Sequence, residues 1–389
     1  MNTLLVFGIT LLVAIYISGL AHRTILSTTV IFLAVGFLCG DGIAGIIHTQ
    51  KDTEIVGLFS ELALVAVLFT DGMRLDVRTL RTSWRLPLRA LMIGMPVTAA
   101  LTTLLAHFIA GLPWLPALLL GSLLSPTDPV LISSIVGHEA VPRRLRDFLN
   151  IESGFNDGMA LPAVILLIGL LTRQEVDLFT LLAEVIGGVV LGIAIPWLAL
   201  QFERRFFFAA TGEAELIQPF AIVVILFALC RLTTMNEYLA AFSAGISLTA
   251  FKKNPPQGYD SFERTLARVF ELAAILLFGA LVSPGLLAEV TPQGYLFALL
   301  SLLAVRPVAM LIALPGTGLP KKEWAAAAFF GPKGFASVVY ALLMLSAGFP
   351  EAAQAFSLAA IVIAGSIILN STLDVPAVRW LSPPPPNNG

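Results

Sequence analysis

Apolar residues run along this chain in continuous stretches of about 20, the length a helix needs to cross hydrocarbon, separated by short polar segments. Thirteen such stretches can be marked: 3–20, 24–40, 54–71, 88–110, 114–136, 147–171, 178–200, 215–231, 236–251, 267–285, 293–314, 323–347 and 351–373. Strands of a membrane barrel would alternate apolar and polar positions, and these runs do not. A helix satisfies all its backbone groups internally, so it can cross the bilayer core alone. The pattern predicts an all-α polytopic membrane protein. Residues 1–381 read as a single transmembrane domain, and residues 382–389 as a short Pro/Asn-rich cytoplasmic tail. The first run has no Lys or Arg before it, and Arg23 follows it. That polarity is wrong for a cleaved signal and predicts a retained span with its N-terminus outside.

Two runs are interrupted where a helix should be continuous. Span five contains Ser125-Pro126-Thr127-Asp128-Pro129, and span twelve contains Phe330-Gly331-Pro332-Lys333-Gly334-Phe335. Proline removes a backbone donor and clashes with the preceding turn, so both helices are expected to break there. The freed carbonyls and amides, with Asp128 beside them, suit a cation site; the plainer reading is that Asp128 caps the second half of its own helix. The breaks lie seven spans apart, so the two helices run in opposite directions. This predicts an inverted repeat, spans one to six against eight to thirteen, with the broken helices crossing near the midplane.

Composition agrees with the pattern. Apolar residues make up 57% of the 389, charged residues only 12%, and mean hydropathy is +0.90, too little polar surface to face water. Basic residues sort by loop. One set of alternate loops holds clusters such as Arg74, Arg78, Arg81, Arg85 and Arg89, or Arg143, Arg144 and Arg146. The other set holds Lys51, Arg173 and Arg231. That asymmetry is what the positive-inside rule expects of a thirteen-span chain. The arginines from Arg74 to Arg85 read as an amphipathic stretch on anionic headgroups. Cys39, Cys230 and the four histidines are scattered, so no metal-ligand spacing exists, and no basic–aromatic run suggests nucleic acid.

Charge within the spans needs a reason, because it is expensive in hydrocarbon. Glu152-Ser153-Gly154-Phe155-Asn156-Asp157-Gly158 lies in span six. Helical spacing puts Ser153 and Asp157 on one face, with Glu152 and Asn156 on the adjacent stripe. Arg306, in span eleven, is permanently charged and requires a buried partner, for which Glu152 is the first choice. Lys333 is placed to compensate the C-terminal end of a half-helix at the crossing. Glu61, Asp71, Glu184 and Glu271 receive no functional role.

These motifs, in this order and over nearly the whole chain, resemble the first family of monovalent cation–proton antiporters, the bacterial NhaP-type proteins and the animal sodium/proton exchangers. The resemblance implies that Asp157 binds cation or proton, and that Thr127, Asp128 and Ser153 supply further ligands. It implies that Glu152 pairs with Arg306. Lys333 stands where the family has Gly-x-Arg-Gly, and a lysine cannot form arginine's bidentate fork. The resemblance further implies a homodimer of thirteen-span protomers. The core would come from spans four to six and eleven to thirteen, the dimerisation part from spans one to three and seven to ten. An Asn-Asp pair implies electroneutral exchange.

The expected function is sodium (or lithium)/proton antiport in a bacterial inner membrane, by alternating access, with cation and proton competing for Asp157. No cofactor is expected; the ligands are small inorganic cations and the surroundings lipid. Asn156 is expected to orient Asp128 or the broken backbone. Potassium is the alternative cation. An intramembrane aspartyl protease built on Asp128 and Asp157 would not need Asn156 or twin helix breaks. A channel would set its pore between protomers rather than within one.

Overall fold

The computed structural model describes residues 2–21, 27–40, 42–47, 61, 65–73, 85–172, 178–205, 213–252 and 259–382. The third span of the sequence reading therefore lies partly outside the described residues. Arg23, Lys51, Arg74, Arg78, Arg81, Arg173 and the tail beyond Ser382 lie wholly outside them.

Among the described residues the chain is helical, without strands. In order it forms α1 (Asn2–Ala21), α2 (Thr28–Cys39), α3 (Arg85–Phe108), α4 (Trp114–Leu123), α5 (Ser133–Gly137), α6 (Arg143–Thr172), α7 (Leu178–Arg205), α8 (Glu213–Thr233) and α9 (Glu237–Phe251). There follow α10 (Tyr259–Leu281), α11 (Pro284–Glu289), α12 (Pro292–Ala313), α13 (Lys321–Phe329), α14 (Phe335–Ser346) and α15 (Ala352–Leu381). Residues 65–73 are also helical. Among the described residues, five helices, α3, α6, α7, α12 and α15, are each long and apolar enough to cross a membrane; α2, α4 and α14 are shorter apolar helices.

The chain divides into two compact units, residues 1–49, 80–160 and 275–389 in one, residues 50–79 and 161–274 in the other. Glycines let backbones approach in both. In the second unit a Cβ on Gly72 would meet the Phe242 carbonyl, and one on Gly245 the Phe69 carbonyl. Glu61 pairs with Arg231 there, and Arg268 Nη1 with Glu271 Oε1 at 2.7 Å.

Both breaks read from proline placement lie in the first unit. Helix ends at Leu123, and Leu124–Asp128 is irregular; a 3-10 turn over Pro129–Ile132 then leads into α5. Likewise α13 ends at Phe329, residues 330–334 are irregular, and α14 starts at Phe335. A second proline effect is milder. In α3 a π-helical turn covers Ala90–Gly94, just before Pro96; in α12 another covers Ser301–Val305, just before Pro307. A proline cannot donate to the carbonyl four residues back, and a wider turn accommodates the missing bond.

Candidate ion-binding site

The two breaks meet and complete each other's hydrogen bonding. Asp128 N–H, which its own interrupted helix leaves without an acceptor, donates to the Pro332 carbonyl at 2.9 Å. Asp128 Oδ2 accepts from the Phe335 N–H at 2.9 Å, at the start of α14. In return, Lys333 Nζ donates to the Ser125 and Pro126 carbonyls at 3.4 and 3.2 Å, just past the C-terminus of α4. Ser337 Oγ donates to the Leu123 carbonyl at 2.9 Å. A carboxylate thus sits at one helix N-terminus and an ammonium at the other helix's C-terminus, the favourable sense for both dipoles. Asp128 caps the partner half-helix through Phe335, an inter-helix role beyond the local cap that its position before the second half of its own helix suggests. The packing leaves no room for a side chain at two glycines here: a Cβ on Gly334 would overlap the Asp128 carboxylate, and one on Gly331 the Arg306 guanidinium.

Helix α6 brings the remaining polar groups to the first break. Thr127 Oγ1 and Ser153 Oγ share a hydrogen bond of 3.0 Å, and Asn156 Nδ2 donates to Thr127 Oγ1 at 2.7 Å. Asn156 therefore engages the break through the Thr127 hydroxyl, whereas the sequence reading gave it Asp128 or the backbone. Asp157 is buried, one helical turn after Ser153 on the same face. Its backbone carbonyl accepts from Tyr340 Oη at 2.8 Å, which ties this turn of α6 to α14. The ammonium of Lys333 lies in electrostatic range of Asp157, Glu152 and Arg306.

Glu152 and Arg306 form a buried two-point ion pair, Nη1 to Oε1 and Nη2 to Oε2, both 2.9 Å. Arg306 Nε also donates to the Ala327 carbonyl at 3.2 Å, so the guanidinium fastens α12 to α6 and α13 together. It directly follows the π turn of α12, whose extra residue per turn sets where the side chain emerges.

The structure adds residues that the sequence reading passed over. Ser366 Oγ accepts from the Lys333 N–H at 2.7 Å, and Asp374 Oδ1 from the Ile135 N–H at 3.2 Å. Tyr340 and Ser337 also touch the site. The four-residue interval from Ser366 through Asn370 to Asp374 was the available signal. The donor set around the breaks is carboxylate, hydroxyl and carbonyl oxygen, the set a hard monovalent cation prefers.

A sequence profile described as "Sodium/hydrogen exchanger, transmembrane" matches residues 8–380. Among curated proteins, the K(+)/H(+) antiporter NhaP of Alkalimonas amylolytica is 28% identical over 97% of this chain and 67% of its own length. The K(+)/H(+) antiporter NhaP2 of Shewanella baltica is 26% identical over 94% of this chain and 64% of its own. The chain thus spans about two thirds of the length of these relatives. Among solved structures, the sodium proton antiporter MjNhaP1 of Methanocaldococcus jannaschii at pH 8 superposes with a TM-score of 0.81. That match has 18% identity and covers 98% of this chain and 99% of the other, a likeness of fold.

Proposed function

This chain belongs to the sodium/hydrogen exchanger family, and from that premise we propose that it exchanges a monovalent cation for protons, both competing for the Asp157 carboxylate. The observation that carries the reading is the meeting of two broken helices at Asp128, with Thr127 bonded to Ser153 one helical turn before the buried Asp157. A dehydrated cation needs several oxygens, and a helix break within a membrane supplies backbone oxygens as well as side chains.

In the proposed cycle Asp157 holds either the cation or a proton. Asp128, Thr127 and Ser153 contribute oxygens, and Asn156 keeps the Thr127 hydroxyl in place. Glu152 and Arg306 hold α6, α12 and α13 together around the site. Lys333 compensates the carbonyl end of α4. Protonation of Asp157 expels the cation, the site then opens to the other side, and the reverse exchange occurs there. Competition for one carboxylate couples the two fluxes, and with a neutral Asn156 the exchange is one cation for one proton. We place the protein in a bacterial inner membrane as a homodimer, N-terminus outside.

Sodium is the first reading for the cation. Potassium is the second, and the observation behind it is the potassium/proton name of the two relatives quoted above. Purified protein in vesicles with an internal pH dye, challenged in turn with sodium, lithium and potassium, tests both. The expected result is cation-driven proton flux that Asp157→Asn abolishes. Flux retained by Asp157→Asn would overturn the assignment, and flux with potassium alone would decide for the second reading.

A further inference from the structure

The last helix carries buried polar groups that the ion site does not need as ligands. Ser366, Asn370 and Asp374 recur at every fourth position of α15, so they share one face, and all three are buried. Serine and threonine in a membrane helix ordinarily return their hydroxyls to their own backbone. Ser357 and Thr372 of α15 do so, through the Ala353 and Ile368 carbonyls. Ser366 Oγ and Asp374 Oδ1 instead accept from other elements.

Ser366 Oγ accepts the Lys333 backbone N–H, in the middle of the second break. Asn370 Nδ2 donates to the Ser366 carbonyl at 3.0 Å and to its Oγ at 3.3 Å, which fixes the hydroxyl's position. Two turns beyond Ser366, Asp374 Oδ1 accepts the N–H of Ile135 in α5. That short helix continues from the 3-10 turn immediately after Asp128. One uninterrupted face of one helix therefore grips the second break directly and the first break through its far half.

We propose that this face of α15 is a clamp that sets the spacing of the ion site, with Ser366 and Asp374 as positioning residues. It touches no cation. It holds Lys333 and the segment after Asp128 on one rigid element, so that Thr127, Asp128 and Asp157 keep the separation the bound ion requires. Toward Ile135, Asp374 is a hydrogen-bond acceptor, a part an amide oxygen can also fill. This inference rests on the exchange reading.

The test uses the full chain in vesicles, measuring proton flux against cation concentration. Losing one such bond should raise the apparent KM of Asp374→Ala about tenfold, with kcat close to wild type. Asp374→Asn, which keeps an acceptor, should stay within about twofold of the wild-type KM. Ser366→Ala should raise KM in the same way, and the double alanine variant should fall short of the product of the two single effects. Thr372→Val, whose hydroxyl bonds only within α15, is the control and should match wild type. An unchanged KM in Asp374→Ala would overturn the clamp, as would a loss confined to kcat, or an Asp374→Asn variant as impaired as the alanine. Should Asp374→Ala fail to fold, Ser366→Ala carries the same readout. Absence of flux in the wild type sinks the exchange reading; wild-type flux with unaltered variants sinks the clamp alone.

Discussion

Each charged residue at the crossing answers to a different kind of partner, and substitutions should separate them. Glu152 neutralises a buried guanidinium. Glu152→Ala leaves Arg306 buried and unpaired, and should destabilise the protein by about 3–5 kcal/mol, read as a lowered thermal midpoint in detergent. Asn156 is uncharged and bonded to Thr127. Asn156→Asp introduces a second carboxylate beside Asp157, so exchange should become sensitive to membrane voltage; flux that ignores an imposed potential would count against one-for-one exchange. Lys333 spreads its charge over the Ser125 and Pro126 carbonyls, a role that needs a cation but no planar fork. Lys333→Arg should therefore retain measurable flux, whereas Lys333→Met leaves the end of α4 uncompensated and should lose most of it.

The broken helices show which structural relations a sequence can carry. Proline forbids a donor at a known position, so Pro126, Pro129 and Pro332 marked the interruptions without any tertiary information. Glu152 and Arg306 were also legible as a pair, because a permanently charged side chain in hydrocarbon must find an opposite charge. The target of Asp128 was not legible: the amide it caps belongs to Phe335, and local rules favour the nearest helix start. The polar face of α15 escaped notice for a related reason. Ser366, Asn370 and Asp374 are diluted in a 30-residue helix, and residues of these types commonly bond to their own turn. The π turns before Pro96 and Pro307 lie in spans four and eleven of the sequence reading, the same seven-span offset as the breaks. At this scale Gly334→Ala is the sharp test. The added methyl collides with the Asp128 carboxylate, so cation-driven flux should fall at least as far as in Asp128→Ala, with the helical content by circular dichroism unchanged.

For the whole chain, the loop charges and the apolar runs lead to an oriented membrane protein, and reporter fusions should place the N-terminus outside and the C-terminus in the cytoplasm. The reciprocal caps at the crossing also bear on how the molecule is made. Asp128 and Phe335 are separated by 207 residues. At ribosomal speeds of roughly 5–20 residues per second, the earlier segment waits about 10–40 s for its complement to be synthesised. During that interval the Ser125 and Pro126 carbonyls have neither Lys333 nor a helical successor to accept from, so an insertase, lipid headgroups or entrained water must shelter them. A nascent chain arrested before residue 320 should accordingly be a preferred substrate of membrane quality-control proteases, and one arrested well beyond residue 346 should escape them.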